Sequence, residues 1–224
     1  MPHSRASNSQ PLSCPELKLV PADQPEKIRA AFVNSPMLSF CQPWRSAKED
    51  AFQEGSVSIG WHDDTFFYFA ELQDSHPHSL STERNQRLWL LGDVFEVFAG
   101  IETHPAYIEF HTSPNGHTLN LLWPDASALA QANASDEGIT PYLSEHTDIA
   151  STAWITPTGW SVYGRLSSKP LTPVSPSLRG QSWQINFGRY DYPADFSSPT
   201  ISATSPLTHP HFHRRSEWHR IKFV

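Results

Sequence analysis

Residues 84–113 read RNQRLWLLGDVFEVFAGIETHPAYIEFHTS and hold two carboxylates in strand-like surroundings. Glu96 lies between Phe95 and Val97, so period-two alternation puts it on the face shared with Val94 and Phe98. A carboxylate on such a face needs a partner, because unpaired burial costs several kcal/mol. Arg84, Arg87 and Arg189 are the candidate partners. Glu109 follows in YIEFH, and on a neighbouring strand it would bring a second carboxylate beside the first. Two carboxyl groups about 5–10 Å apart are what retaining or inverting glycoside hydrolysis requires. Adjacent-strand Glu pairs are also common without catalysis. No Gly-x-Ser-x-Gly is present, and neither Cys14 nor Cys41 has a neighbourhood suggesting a nucleophile.

Metal chemistry has two further candidates. His209, His211 and His213 alternate in THPHFHRR, the spacing that puts three imidazoles on one strand face and can build a zinc site. Pro210 interrupts that strand, so a solvated loop is the plainer expectation. Asp63, Asp64 and Asp74, with Glu71, supply the oxygen donors that calcium prefers, although their spacing matches no fixed loop. Asp63-Asp64 otherwise reads as a plain turn.

The elements that must carry these residues are mostly strands. In SVSIGWH, Val57, Ile59 and Trp61 alternate with Ser58 and Gly60, and TFFYFAELQD follows after Asp63-Asp64, so residues 56–73 form a hairpin. DVFEVFAGI, PAYIEFHTS and HTLNLLW give three more strands, the last two joined at Pro114-Asn115-Gly116. TDIASTAWIT, GWSVYGRLS, QSWQINFGRYDY, TISATSP and EWHRIKFV complete the series, with a short strand-like run in ELKLVPAD near the start. PEKIRAAFVNSP (residues 25–36) is the one clear helix, opening at Pro25 and closing before Pro36. Residues 124–143 are small and Ala-rich, a surface excursion with room for one helical turn. The expectation is an all-β, two-sheet antiparallel sandwich of about ten strands with one short N-terminal helix. Residues 1–13 read as a flexible leader and 14–224 as a single domain.

Charge and composition exclude several functions. A net charge of -7 with no dense Lys/Arg stripe disfavours nucleic acid. No stretch approaches the roughly 20 apolar residues of a spanning helix, so no membrane partner is expected. The N-terminus lacks the apolar core of a signal peptide, and a cytoplasmic location is the default expectation.

The order of segments is distinctive. The hairpin SVSIGWHDDTFFYFAELQD precedes the loop TERNQRLW, then GDVFEVFAG, YIEFHTSPNG, GWSVYGRLS, SWQINFGRYDY and ISATSP…FHRRSEWHRIKF. From about residue 40 onward this series resembles the family-nine carbohydrate-binding modules and their relatives among the DOMON-like sandwiches. The resemblance implies a noncatalytic module that binds a poly- or oligosaccharide at an aromatic site, in some members with structural calcium. The family pattern Trp-x-x-Asp-x-x-Glu maps onto Trp89, Asp93 and Glu96, with one extra residue between Trp89 and Asp93. Glu109 stands where well-studied members carry an arginine, and Thr204 stands where a second aromatic ring would close the clamp. Arg189, in SWQINFGRY, is implied as a ligand contact or as a brace for Glu96 or for the loops at the binding end. The haem-binding branch of the sandwiches needs a Met–His pair. Met1 and Met37 both precede the matching strands and do not suit it.

A pyranose has apolar C–H faces and a hydroxyl edge. An exposed indole covers the face for about 1–3 kcal/mol, and carboxylates accept from the hydroxyls. Trp89, Asp93, Glu96, Glu109 and Arg189 are therefore the expected ligand-binding set. A divergent interaction or sensing domain whose sugar site has decayed is the alternative, and a glycoside hydrolase is the third reading.

Overall fold

The computed structural model of the chain describes residues 10–18, 24–171 and 177–224. Strands β1 (Leu12–Cys14), β12 (His219–Phe223), β10 (Ser182–Asp191), β5 (Val94–Ile101), β6 (Tyr107–Thr112) and β7 (Thr118–Trp123) form one sheet in that order, with β11 (Thr200–Ala203) also paired to β10. The second sheet runs β2 (Met37–Ser39), β3 (Gly55–His62), β4 (Thr65–Gln73), β9 (Gly159–Ser167), β8 (Ile149–Thr156). All pairings between strands are antiparallel except β1 with β12. The expected two-sheet sandwich is what forms.

Alternation dictates the core. Phe95, Val97 and Ala99 of β5, Ile108 and Phe110 of β6, and Trp183, Ile185 and Phe187 of β10 face the other sheet, where Val57, Ile59, Phe66, Tyr68 and Val162 meet them. The outer face of the larger sheet is also apolar. Val94, Phe98, Tyr107, Leu121 and Trp123 lie there beneath Leu88, Leu207, Phe212 and Trp218. Loops must therefore cover this face. Gly188 makes that possible for one of them, since a Cβ at that position would stand 2.6 Å from the ring of Phe212.

The short elements differ from expectation. Leu12 and Ser13 lie in a strand beside Ile221 and Lys222, not in a leader, while residues 1–9 fall outside the described residues. Of ELKLVPAD, Glu16 makes one parallel bridge to Trp61, and residues 19–23 lie outside the described residues. Helix α1 (Pro25–Ala31) ends before the expected close at Asn34-Ser35-Pro36, and Ser35 N–H turns back to Phe32 O at 2.9 Å. Its Ile28, with Phe32 just beyond, packs on Phe69 and Tyr163 of the smaller sheet's outer face. The Ala-rich excursion contains α2 (Ala128–Ala134), two turns rather than one. Among the described residues no helix is long and apolar enough to cross a membrane.

Candidate functional site

Glu96 on β5 lies directly opposite His111 on β6, and Phe98 lies opposite Glu109. The register therefore brings Glu96, Glu109 and His111 together on the outer face, under the covering loops. All three are buried, His111 completely. His111 Nε2 stands 2.7 Å from Glu109 Oε1 and 3.4 Å from Glu96 Oε1. Glu109 Oε2 accepts from the Trp123 indole at 2.6 Å and lies 3.6 Å from His213 Nε2. His213 Nδ1 is in turn 2.9 Å from the Tyr107 hydroxyl. Glu109 is thus satisfied on both oxygens. Glu96 has the single contact with His111 and no hydrogen bond among the described residues.

Environment splits the proton affinities of the pair. Burial drives Glu96 up to about 8, with His111 pulling it down and Glu109 adding to the rise. Burial acts on Glu109 in the same sense, but His213, His111 and Trp123 outweigh it and hold that carboxyl below its ordinary value. For His111 burial favours the neutral ring, yet Glu96 and Glu109 together raise its pKa. The shifts run in opposite senses: Glu96 is pushed toward its protonated form, while Glu109 and His111 are pushed toward their charged forms. Split carboxylates are the mark of acid–nucleophile pairs in glycoside hydrolysis. That chemistry needs the anomeric carbon between the two groups, and here the His111 ring occupies the space. The arrangement suits holding a proton and accepting a hydroxyl.

Trp89 closes the cluster from above. It sits in a single turn of helix (Leu88–Leu90), and its ring lies edge-to-face with His111 at 5.5 Å between centroids. Its carbonyl accepts from the Tyr192 hydroxyl at 2.7 Å. Trp89 is half-buried and packs on the outer-face cluster. Trp44, Tyr190 and Ile201 pack half-buried against the same cluster.

Asp93 and Arg189 have other duties. Asp93 is fully buried and accepts from the backbone N–H of His78 and of Tyr192, both at 2.7 Å. Gly92 allows this, because its φ of +128° brings residue 92 against His78 O. Asp93 therefore pins two loops together, with both of its oxygens engaged by backbone N–H groups. Arg189 continues the Ile185–Phe187 face of β10 and points between the sheets, opposite in sense to Glu96. It donates to Gln73 O at 2.6 Å and lies 3.4 Å from Asp74 and 3.1 Å from Asp191. The expected brace between Arg189 and Glu96 does not exist. Arg84 pairs with Glu145 instead, and Arg87 lies against Gly138.

The metal expectations also change. Asp63 and Asp64 form the turn before β4, and Asp74 follows its far end, so the nine-residue strand holds them about 30 Å apart. They cannot share a calcium ion. Asp74 instead gathers with Asp93 and Asp191 within 4.8 Å, where the Arg189 guanidinium already supplies the cation. His209, His211 and His213 are not on a strand: the chain doubles back there, with His211 N–H on His209 O at 2.7 Å. Only His213 of the three reaches Glu109.

Thr204 is buried, its hydroxyl accepting from Phe187 N–H at 3.2 Å, so no ring stands at that position. No family model and no curated protein matches the sequence. Solved structures do. A candidate carbohydrate-binding protein from Bacteroides uniformis superposes with a TM-score of 0.71 at 15% identity, covering 95% of this chain and 98% of that one. A carbohydrate-binding module of family 9 from Caldicellulosiruptor kristjanssonii, in complex with cellotriose, gives 0.61 at 13% identity over 95% and 92%. The same kind of module in complex with glucose gives 0.61 at 12% identity over 95% of both chains. The fold is that of the family 9 carbohydrate-binding modules. At such identities the likeness concerns the backbone, and the side chains must be judged on their own geometry.

Sequence reasoning placed Glu96 on the correct face and Glu109 beside it. It missed His111, Trp123 and Trp44. His111 was legible in principle, since Glu109 and His111 are two apart in one strand and must share a face.

Proposed function

We propose that the chain is a noncatalytic saccharide-binding module whose ligand stacks on the solvent-facing part of Trp89 and presents a hydroxyl toward Glu96. The observation that carries this reading is the half-buried indole held edge-on over His111, next to the one carboxylate of the cluster with uncommitted hydrogen-bonding capacity. When protonated, Glu96 can donate as well as accept, which suits a hydroxyl group. Glu109 and His111 would act beneath, fixing Glu96, while Asp93 and Arg189 hold the loops. The sugar-bound neighbours of the same fold support the ligand class.

Calorimetric titration with glucose, cello-oligosaccharides and xylo-oligosaccharides tests the reading. Saturable binding that Trp89→Ala weakens by about tenfold or more is expected, tenfold being about 1.4 kcal/mol of lost stacking. Silence across the panel would leave the interaction domain with a decayed sugar site, the reading that Thr204 favours. Turnover of a chromogenic glycoside, abolished by Glu96→Gln, would overturn both.

A further inference from the structure

The outer face of the smaller sheet carries a second constellation. Helix α1 covers half of that face through Ile28 and Phe32. Beside the helix lies an open trough of about 710 Å³, inside the roughly 300–1,000 Å³ span of ligand sites. Its floor is set by register. Ser39 pairs with Ser56, Ser56 with Glu71, Glu71 with Ser161, and Ser161 with Trp154, so one row crosses all five strands. Four inter-strand spacings make that row about 19 Å long. The trough exists because three of the five side chains are serines, short enough to leave room above the sheet. At its end stands Trp154, half-buried on edge strand β8, and next to it Ile155 is 60% exposed. Trp160 also borders the trough, but its ring is buried in the core between the sheets.

We propose that this trough is a second saccharide subsite, one that takes a neutral oligosaccharide chain. The class follows from the lining. An indole at one end offers a stacking face, the serines offer paired donors and acceptors, and the charges cancel locally. Arg29, the only cation in the lining, donates to Glu71 from Nε at 3.0 Å, and Glu54 is held by Lys48 at 2.7 Å. Nothing there attracts a polyanion, and the remaining carboxylate, Glu26, repels one. The length of the row suits several sugar rings, whereas the Trp89 site offers one stacking face. The ligand class rests on the saccharide reading above; the site does not.

The test uses the indole N–H resonances of Trp89 and Trp154, assigned by single Trp→Phe variants, during titration with glucose and with cellohexaose. The expected result is that Trp154 shifts with the hexasaccharide and not with glucose. At the trough, followed by the Trp154 resonance, the longer ligand should bind at least about tenfold more tightly than glucose, as stacking on Trp154 and contacts along the row allow. That gain should vanish in Trp154→Ala, read there by calorimetry, and in Ser56→Gln, which fills the floor without removing a packed ring, and should persist in Trp89→Ala. Movement of Trp89 alone overturns the trough and leaves the first site standing. Movement of Trp154 alone upholds the trough and removes the first site. If neither indole responds, both fall.

Discussion

Two groups of buried carboxylates lie on opposite faces of β10 and β5, and different cations balance them. Between the sheets, Asp74 and Asp191 surround Arg189, a guanidinium that stays charged at any working pH. On the outer face, Glu96 and Glu109 surround His111, an imidazole whose charge depends on pH. The first group is sealed by backbone carbonyls and holds loop ends. The second abuts a half-buried indole and keeps a carboxyl with capacity to spare. A fixed cation makes a brace, and a titratable one leaves a site that can respond to what approaches it.

Removing the fixed cation should have the largest effect. Arg189→Met leaves Asp74 and Asp191 without their partner, and urea denaturation should show a loss of about 3–5 kcal/mol. His111→Phe should cost less, about 2 kcal/mol, because Glu109 keeps the Trp123 indole and Glu96 can stay protonated. Equal losses from the two would erase the distinction between brace and site.

The pH dependence sharpens it further. Glu96 holds its proton more tightly folded, at about 8, than its ordinary 4.5. Its protonation therefore favours the fold at low pH, and this contribution is lost as pH rises from about 4.5 through about 8. His111, with a raised pKa, contributes in the same direction. Burial lifts Asp191 to about 7, so its share is lost over a lower range. His213 and His219, lowered by burial, act in the opposite sense below about pH 6.5, so in the wild type stability should fall above that pH. In Glu96→Gln the decline should be shallower and flatten sooner. A slope unchanged by that substitution would mean that Glu96 is ionised in the folded protein.

Two smaller effects complete the set. Trp89→Ala should lower stability by about 1–2 kcal/mol, as expected for a ring only half removed from water, while weakening saccharide binding at least tenfold. Thr204→Val should cost about 1 kcal/mol through its lost bond to Phe187 and leave binding intact, since residue 204 is buried. A binding defect there would show that Thr204 touches the ligand.

Much of the architecture was legible because strands write their facing into alternate residues. Val57-x-Ile59-x-Trp61 and Phe95-x-Val97 announce both strand and core side. Strand β1 was not legible: three residues are too few for a period, and its pairing to β12 joins opposite ends of the chain. In the site, Glu96 was placed correctly by the same rule. Its partner was assigned to arginines because cross-strand neighbours depend on register, which a single segment does not reveal. The side of Arg189 was readable, since Phe187 two residues earlier points into the core. Asp63, Asp64 and Asp74 were near in sequence, yet a strand between them is a spacer. Trp44 lies in a loop, where no periodicity marks it.

The facing of Glu96 and His111 has a consequence for assembly of the chain. If β6 slid by one residue against β5, its side chains would exchange faces: Glu109 and His111 would enter the space between the sheets and Ile108 and Phe110 would leave it. Glu109 and His111 would keep each other but lose Trp123 and His213 and enter a layer of packed rings, so the misaligned pairing is penalised twice, by charges gained and by rings lost. The cluster thus acts as a key for strand alignment during folding, and a variant with both Glu109 and His111 replaced by leucine would remove half of that penalty.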